Sequence, residues 1–261
     1  LKQRVITALV MAAIFIPVVY AGSWLLEIVM VLLAIVGLFE LYRMKEQKLF
    51  SVEGVLSIAA LLVMLLPEFF DRFLPKQFTT VMVVYLLAIV LLICTVFSKN
   101  RFSFDHAGFS VLSVIYVGFG FRSLLLTRET GLQLLILVLI TIWTTDICAY
   151  LFGRKIGKHK LAPNISPNKT IEGFVSGTMM AVIIASIYLM YFPLDQSFLF
   201  SIFIMAIISV IGQLGDLVES AFKRYYGVKD SGNIFPGHGG VLDRFDSLLF
   251  VSPILYLVGL I

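Results

Sequence analysis

The chain has 261 residues, 60% of them hydrophobic and 14% charged, with a formal net charge of +4. Soluble domains average about 45–50% apolar and about 25% charged, and runs of ~18 or more apolar residues mark membrane helices, so composition excludes a soluble globular fold. The basic excess, 20 Lys and Arg against 16 Asp and Glu, is what cytoplasmic loops collect and gives no signal for nucleic acid.

Apolar runs bounded by charges or turn residues predict an all-α polytopic membrane protein with about nine transmembrane helices. They fall near 5–21, 24–42, 52–67, 78–97, 106–126, 131–152, 173–193, 198–222 and 239–261. The first follows a basic LKQR and has the make-up of a signal peptide, but the second begins a few residues later, which predicts an uncleaved helical hairpin. Leu1 stands where an initiating Met is expected, which leaves the natural start open. The third run is short for a span, and the fifth, with His106 and Arg122, is the least hydrophobic. Cys94 and Cys148 sit in apolar surroundings as small hydrophobes.

Loop charge orients this array. With the N-terminus cytoplasmic, inside segments hold Lys2, Arg4, Arg43, Lys45, Lys48, Lys99, Arg101, Arg154, Lys155, Lys158, Lys160, Lys169, Lys223, Arg224 and Lys229. Outside segments hold only Arg72, Lys76, Arg122 and Arg128. The positive-inside rule then places the N-terminus in the cytoplasm and the C-terminus outside. Residues 1–130 read as a scaffold of helices. Residues 131–261 read as the catalytic region, because they carry the two long cytoplasmic loops, 153–172 and 223–238.

Four carboxylates fall inside predicted spans: Asp146, Asp216, Asp243 and Asp246. Each costs roughly 2.5–3.5 kcal/mol at a bilayer centre on insertion scales, so each is a functional candidate. Counting about 1.5 Å per residue from the loop charges puts all four within roughly 12 Å of the cytoplasmic boundary. Asp243 and Asp246 share a helix face at i, i+3, and Asp216 and Glu219 repeat the spacing. Acids converging at one depth need a cation between them. That cation is either a metal such as Mg²⁺, shared with substrate phosphate, or the charge of Lys223, Arg224 or Arg244 in plain ion pairs.

In the first loop, SPNKTIEG (166–173) predicts a helix opened by Ser166 or Asn168, with Lys169, Thr170 and Glu172 in its first turn and a phosphate at its N-terminus. In the second, Lys223, Arg224 and Lys229 offer cations, and Gly237-His238-Gly239-Gly240 offers close backbone approach to a phosphate just before the aspartates. Together these residues suit phosphoryl or nucleotidyl transfer, in which metal and Lys/Arg neutralise phosphate charge.

Ser220, Lys223-Arg224, Lys229-Asp230, Gly232, Pro236, His238-Gly239-Gly240, Asp243-Arg244 and Asp246 resemble the complete signature of the phosphatidate cytidylyltransferases, the CDP-diacylglycerol synthases. Asp146 with Ala149-Tyr150, SPNKTIEG and GDLVES around Asp216 extend the resemblance, while the first five spans match only in hydropathy. The resemblance implies a Mg²⁺-dependent reaction, with room for a second cation, of CTP with phosphatidic acid. It also implies a homodimer, and the expected location is the bacterial inner membrane with the site facing the cytoplasm. On this reading Asp216 and Asp243 ligate the metal, and Asp146 and Asp246 complete or orient the site. Lys169, Lys223, Arg224, Lys229, Ser220, Gly239 and Gly240 hold substrate, and His238 and Arg244 sit beside the transferring phosphorus. Two rivals remain open here. One is a CTP-dependent kinase of a membrane lipid alcohol, and the other is a cation- or proton-coupled transporter using the same acids.

Overall fold

A computed structural model describes residues 2–261. Leu1 and the side chains of Lys2, Arg4, Val5 and Ala8 lie outside the described residues, and with them the N-terminal charges used in the orientation count and the question of the natural start. The helices are α1 (Lys2–Ala21), α2 (Ser23–Met44), α3 (Val52–Leu65), α4 (Pro67–Phe70), α5 (Thr80–Phe97), α6 (Phe104–Thr130), α7 (Leu132–Ile156), α8 (Ile171–Tyr191), α9 (Phe198–Tyr225) and α10 (Leu242–Leu257). Between α7 and α8 lie two short strands, β1 (Lys160–Ala162) and β2 (Ser166–Thr170).

Six of these helices, α2 and α5 to α9, are long and apolar enough to cross a membrane. They carry apolar side chains on the outside: Phe97 is 83% exposed, Val81 80% and Leu199 78%. Such a surface suits lipid and not water. The chain is an all-α integral membrane protein. Below that measure fall the apolar part of α1 (Leu9–Ala21), the 14-residue α3, and the 16-residue α10 with Asp243, Arg244 and Asp246 in its first turns. Pro67 follows one residue after α3 and disfavours helical backbone at Leu66, which explains why α3 stops short. The polar residues of the weakest predicted span are accounted for in α6: His106 and Ser103 cap its start reciprocally, and Arg122 pairs with Glu68.

The chain forms two compact units. The first comprises residues 1–125 with 231–242, and the second 126–230 with 243–261. In the first, the Tyr42 hydroxyl bonds Ser57 and Ser110, both at 2.8 Å, joining α2, α3 and α6 in a buried polar knot. In the second, Thr145 and Ser209 share a hydrogen bond of 2.7 Å, Ser209 donates to Thr178 at 3.2 Å, and Gln213 Nε2 donates to Thr178 Oγ1 at 3.0 Å. That seam satisfies the polar groups of α7, α8 and α9 where they meet.

The loop after α7 differs from expectation. Ser166 and Asn168 do not open a helix: Ser166–Thr170 is a strand, paired antiparallel with Lys160–Ala162, and Thr170 is the cap of α8, accepting from Gly173 N at 3.1 Å. The reason is local. Ser166 precedes Pro167, which disfavours helical backbone at Ser166, and the extended chain runs on to Thr170, whose hydroxyl caps the helix. Glu172 then accepts from the backbone of Lys158 and His159 and from His159 Nδ1 at 2.7 Å, clipping the ribbon onto the start of α8.

Candidate active site

The second unit gathers the acids. Asp146 comes from α7, Lys169 from β2, Asp216, Glu219, Ser220 and Lys223 from α9, and Asp243, Arg244 and Asp246 from α10. Lys223 Nζ lies 2.6 Å from Asp243 Oδ1 and 2.8 Å from Glu219 Oε2, with all three residues buried. Lys169 Nζ lies 2.7 Å from Asp216 Oδ2, and the Ser220 hydroxyl donates to Asp216 Oδ1 at 3.4 Å. Asp246 accepts from the backbone N–H of Ser247 at 2.6 Å and is in electrostatic reach of Asp216, Lys223 and Arg244. Asp146 is in electrostatic reach of Asp216, Asp246, Lys169 and Arg244.

Exposure grades across this cluster. Glu219 has no exposed surface, Asp243 and Lys223 are buried, Asp216, Asp246 and Lys169 are half-buried, and Asp146 and Arg244 are open. The cations joining the acids are lysines. Among the described residues, no three His, Cys, Asp or Glu side chains converge as a ready ligand set.

Two packing details set this geometry. An added Cβ at Gly215 would stand 2.8 Å from Phe250 Cβ and 3.0 Å from the Asp246 carbonyl oxygen. Gly215 thus lets α10 lie against α9 just where Asp216 follows. Gly215→Val is therefore expected to separate these helices. It should lower the apparent Tm by an amount that reflects overpacking, about 1–3 kcal/mol, and cut turnover by more than tenfold, as read from a melt and an initial rate on the same preparation. The second detail is Arg224, which donates to the carbonyls of Ile165 at 3.2 Å and Val228 at 3.3 Å, tying the end of α9 to the ribbon turn. The sequence suggested a phosphate for Arg224 to hold; in the structure its guanidinium also holds the ribbon.

The remaining residues singled out in the sequence lie apart from this cluster along the chain. Lys229 is exposed in the second unit, close to where the chain leaves it after Asp230. His238, Gly239 and Gly240 belong to the first unit, where His238 Nδ1 is buried without a hydrogen-bond partner and Gly237 and Gly239 take left-handed φ of 77° and 85°. Sequence reasoning missed Glu40, a buried acid of α2 whose only signal was a carboxylate inside an apolar run. It noted Glu219 for its spacing without giving it a place in the site.

Comparisons with known proteins give the family. The family model described as the cytidylyltransferase family matches residues 2–261. Phosphatidate cytidylyltransferase of Staphylococcus haemolyticus is 44% identical over 255 residues, covering 98% of this chain and 97% of that protein. The Bacillus subtilis protein of the same name is 43% identical over 259 residues, covering 98% and 96%. That of Staphylococcus aureus is 43% identical over 255 residues, covering 98% and 97%. The chain is a nucleotidyltransferase embedded in the membrane. It belongs to the cytidylyltransferase family.

Proposed function

We propose that the protein transfers CMP from CTP to phosphatidic acid, forming CDP-diacylglycerol and pyrophosphate, at the cytoplasmic face of a bacterial membrane. The observation that carries the reading is the clustering of Asp146, Asp216, Asp243 and Asp246 with Lys169, Lys223 and Arg244 in one unit. It is joined by the shared name of relatives that cover nearly the whole chain. Phosphatidic acid carries its phosphate at the headgroup layer. Asp216 lies near the Lys223 end of α9, and Asp243 and Asp246 lie in the first turns of α10, on the side that the positive-inside rule predicts to be cytoplasmic.

The reaction joins two phosphates. An oxygen of the phosphatidate phosphate attacks the α-phosphorus of CTP, the bond to the bridging oxygen of the β-phosphate breaks, and pyrophosphate leaves with the electron pair. The attacking oxygen is already anionic, so no general base is required, and the chain's task is alignment and neutralisation of charge. Lys169 and Arg244, half-buried and exposed at the rim of the cluster, are placed to bind phosphate oxygens.

The cluster also fits a divalent cation such as Mg²⁺. Glu219 Oε1 is buried with no hydrogen-bond partner, and Asp216 and Asp243 each hold an ammonium that a harder cation can displace. Mg²⁺ takes one or two carboxylates and completes its shell with water and substrate phosphate, so the lack of a three-acid ligand set is no obstacle. Asp216 and Asp243 would hold it, with Asp146 and Asp246 beside them. When bound it withdraws charge from the triphosphate and the departing pyrophosphate.

The test is an assay with CTP radiolabelled at the α-phosphate, phosphatidic acid and Mg²⁺ in detergent. Label passing into lipid with release of pyrophosphate is the expected result. Label remaining in CDP would instead assign a kinase acting on a lipid alcohol. No CTP consumption by folded protein with any lipid phosphate or alcohol would return the acids to a transport role.

A further inference from the structure

Glu40 is an acid near the C-terminal end of the chain's second helix, only 2% exposed, and it lies in the first unit rather than among the clustered aspartates. Its partners are some 190–200 residues away in sequence. Glu40 Oε2 accepts from the Ser231 hydroxyl at 2.8 Å and from Leu242 N at 3.0 Å, and Oε1 accepts from Val241 N at 2.8 Å. One turn further along α2, Arg43 donates to the Ser231 carbonyl at 2.9 Å. Both ends of segment 231–242 are thus held by one helix of the first unit.

The reason lies in the start of α10. The helix begins at Leu242, and the residue before it is Val241, which has no side-chain oxygen to receive the free amides of the first turn. Glu40 supplies that oxygen from another helix. Its negative charge sits at the positive end of the helix dipole, which favours an ionised carboxylate in a buried place. The glycines of the segment answer to the same group. At Gly232 and at Gly240 an added Cβ would overlap the Glu40 carboxylate, and at Gly240 it would also meet Ser231 Oγ. These two glycines make room for Glu40, whereas the sequence suggested that Gly240 makes room for a phosphate.

We propose that Glu40 is a positioning residue for the transfer reaction. By capping α10 and folding segment 231–242 around its carboxylate, it sets the register in which Asp243, the next residue along the chain, enters its helix. The activity part of this inference rests on the proposed cytidylyl transfer. The structural part does not.

The experiment pairs hydrogen–deuterium exchange over residues 231–246 with the turnover of monodisperse enzyme, for wild type, Glu40→Gln and Glu40→Asp. In Glu40→Gln the side-chain amide presents hydrogens to backbone N–H donors. Exchange of the 231–242 segment is expected to accelerate at least about tenfold, and kcat per folded molecule to fall about tenfold to a hundredfold, the range set by loss of charge-assisted hydrogen bonds. Glu40→Asp keeps the charge one methylene short and should recover part of both. Unchanged exchange in Glu40→Gln overturns the proposal, as does faster exchange with kcat per folded molecule within twofold of wild type. Should Glu40→Gln fail to fold, Ser231→Ala withdraws a single donor and is expected to give smaller shifts, about two- to fivefold, in the same two readouts. If wild-type protein transfers no label, cytidylyl transfer fails as the function while the exchange data still decide whether Glu40 holds the segment.

Discussion

Asp243→Asn is expected to reduce cytidylyl transfer by about 10²–10³-fold or more while leaving the protein folded. The substitution preserves the shape of the side chain and an oxygen facing Lys223, which stands 2.6 Å from Asp243 Oδ1. It removes one negative charge from a buried trio in which Lys223 serves both Asp243 and Glu219. After the change Lys223 still has Glu219 at 2.8 Å, so no charge is left buried and unpaired, and the melt should move little. What is lost is the charge that would hold a divalent cation against the triphosphate. Initial rates with CTP radiolabelled at the α-phosphate, beside a thermal melt of the same sample, check both halves. A variant within tenfold of wild type would make Asp243 a structural partner of Lys223 and move the chemistry to Asp216 and Asp246.

Much of this arrangement is legible in the linear sequence. Runs such as TVMVVYLLAIVLLICTVF announce helices by hydropathy alone, and the charges of DRFD stand out because the rest of α10 is apolar. The i, i+3 spacing of Asp243 and Asp246 follows from helix geometry once the helix is granted. Contacts that join distant segments were not legible. Nothing local in SPNKT marks a strand: it has no apolar alternation, and its pairing with Lys160–Ala162 depends on a turn and on the Glu172 clip. Ion pairing of the acids with Lys223, Arg224 or Arg244 was legible as an alternative, but which cation meets which acid is decided only when α10 folds beside α9 and brings Asp243 to Lys223. Glu40 is the clearest case, because its meaning resides in amides some 200 residues later, and Gly240, one of the two glycines that accommodate it, looks like a phosphate-binding glycine when read alone.

Lys223→Met should be the most destabilising single change in the cluster, and its response to Mg²⁺ separates a metal site from an ion-pair network. Met matches the reach of the lysine stem without its charge, so Glu219, with no exposed surface, and Asp243, 9% exposed, become neighbouring buried carboxylates with no cation between them. Removing one partner of a buried ion pair costs about 3–5 kcal/mol, because the remaining charge is left uncompensated. The apparent Tm in detergent without divalent ions should therefore fall by at least about 5 °C. A ligand that binds only the folded state raises stability in proportion to RT ln(1 + [L]/Kd). If Asp243, together with the partnerless oxygen of Glu219, can take a divalent cation, millimolar Mg²⁺ should restore more of the Tm in Lys223→Met than it adds to wild type, where the ammonium competes for the same oxygens. Glu219→Gln added to Lys223→Met removes one of the two charges and should recover stability without Mg²⁺, which shows that repulsion caused the loss. Equal Mg²⁺ increments in wild type and Lys223→Met, with the double variant still recovering, would mean that Lys223 alone joins these acids and that the divalent cation is held by Asp216 with Asp146 or Asp246.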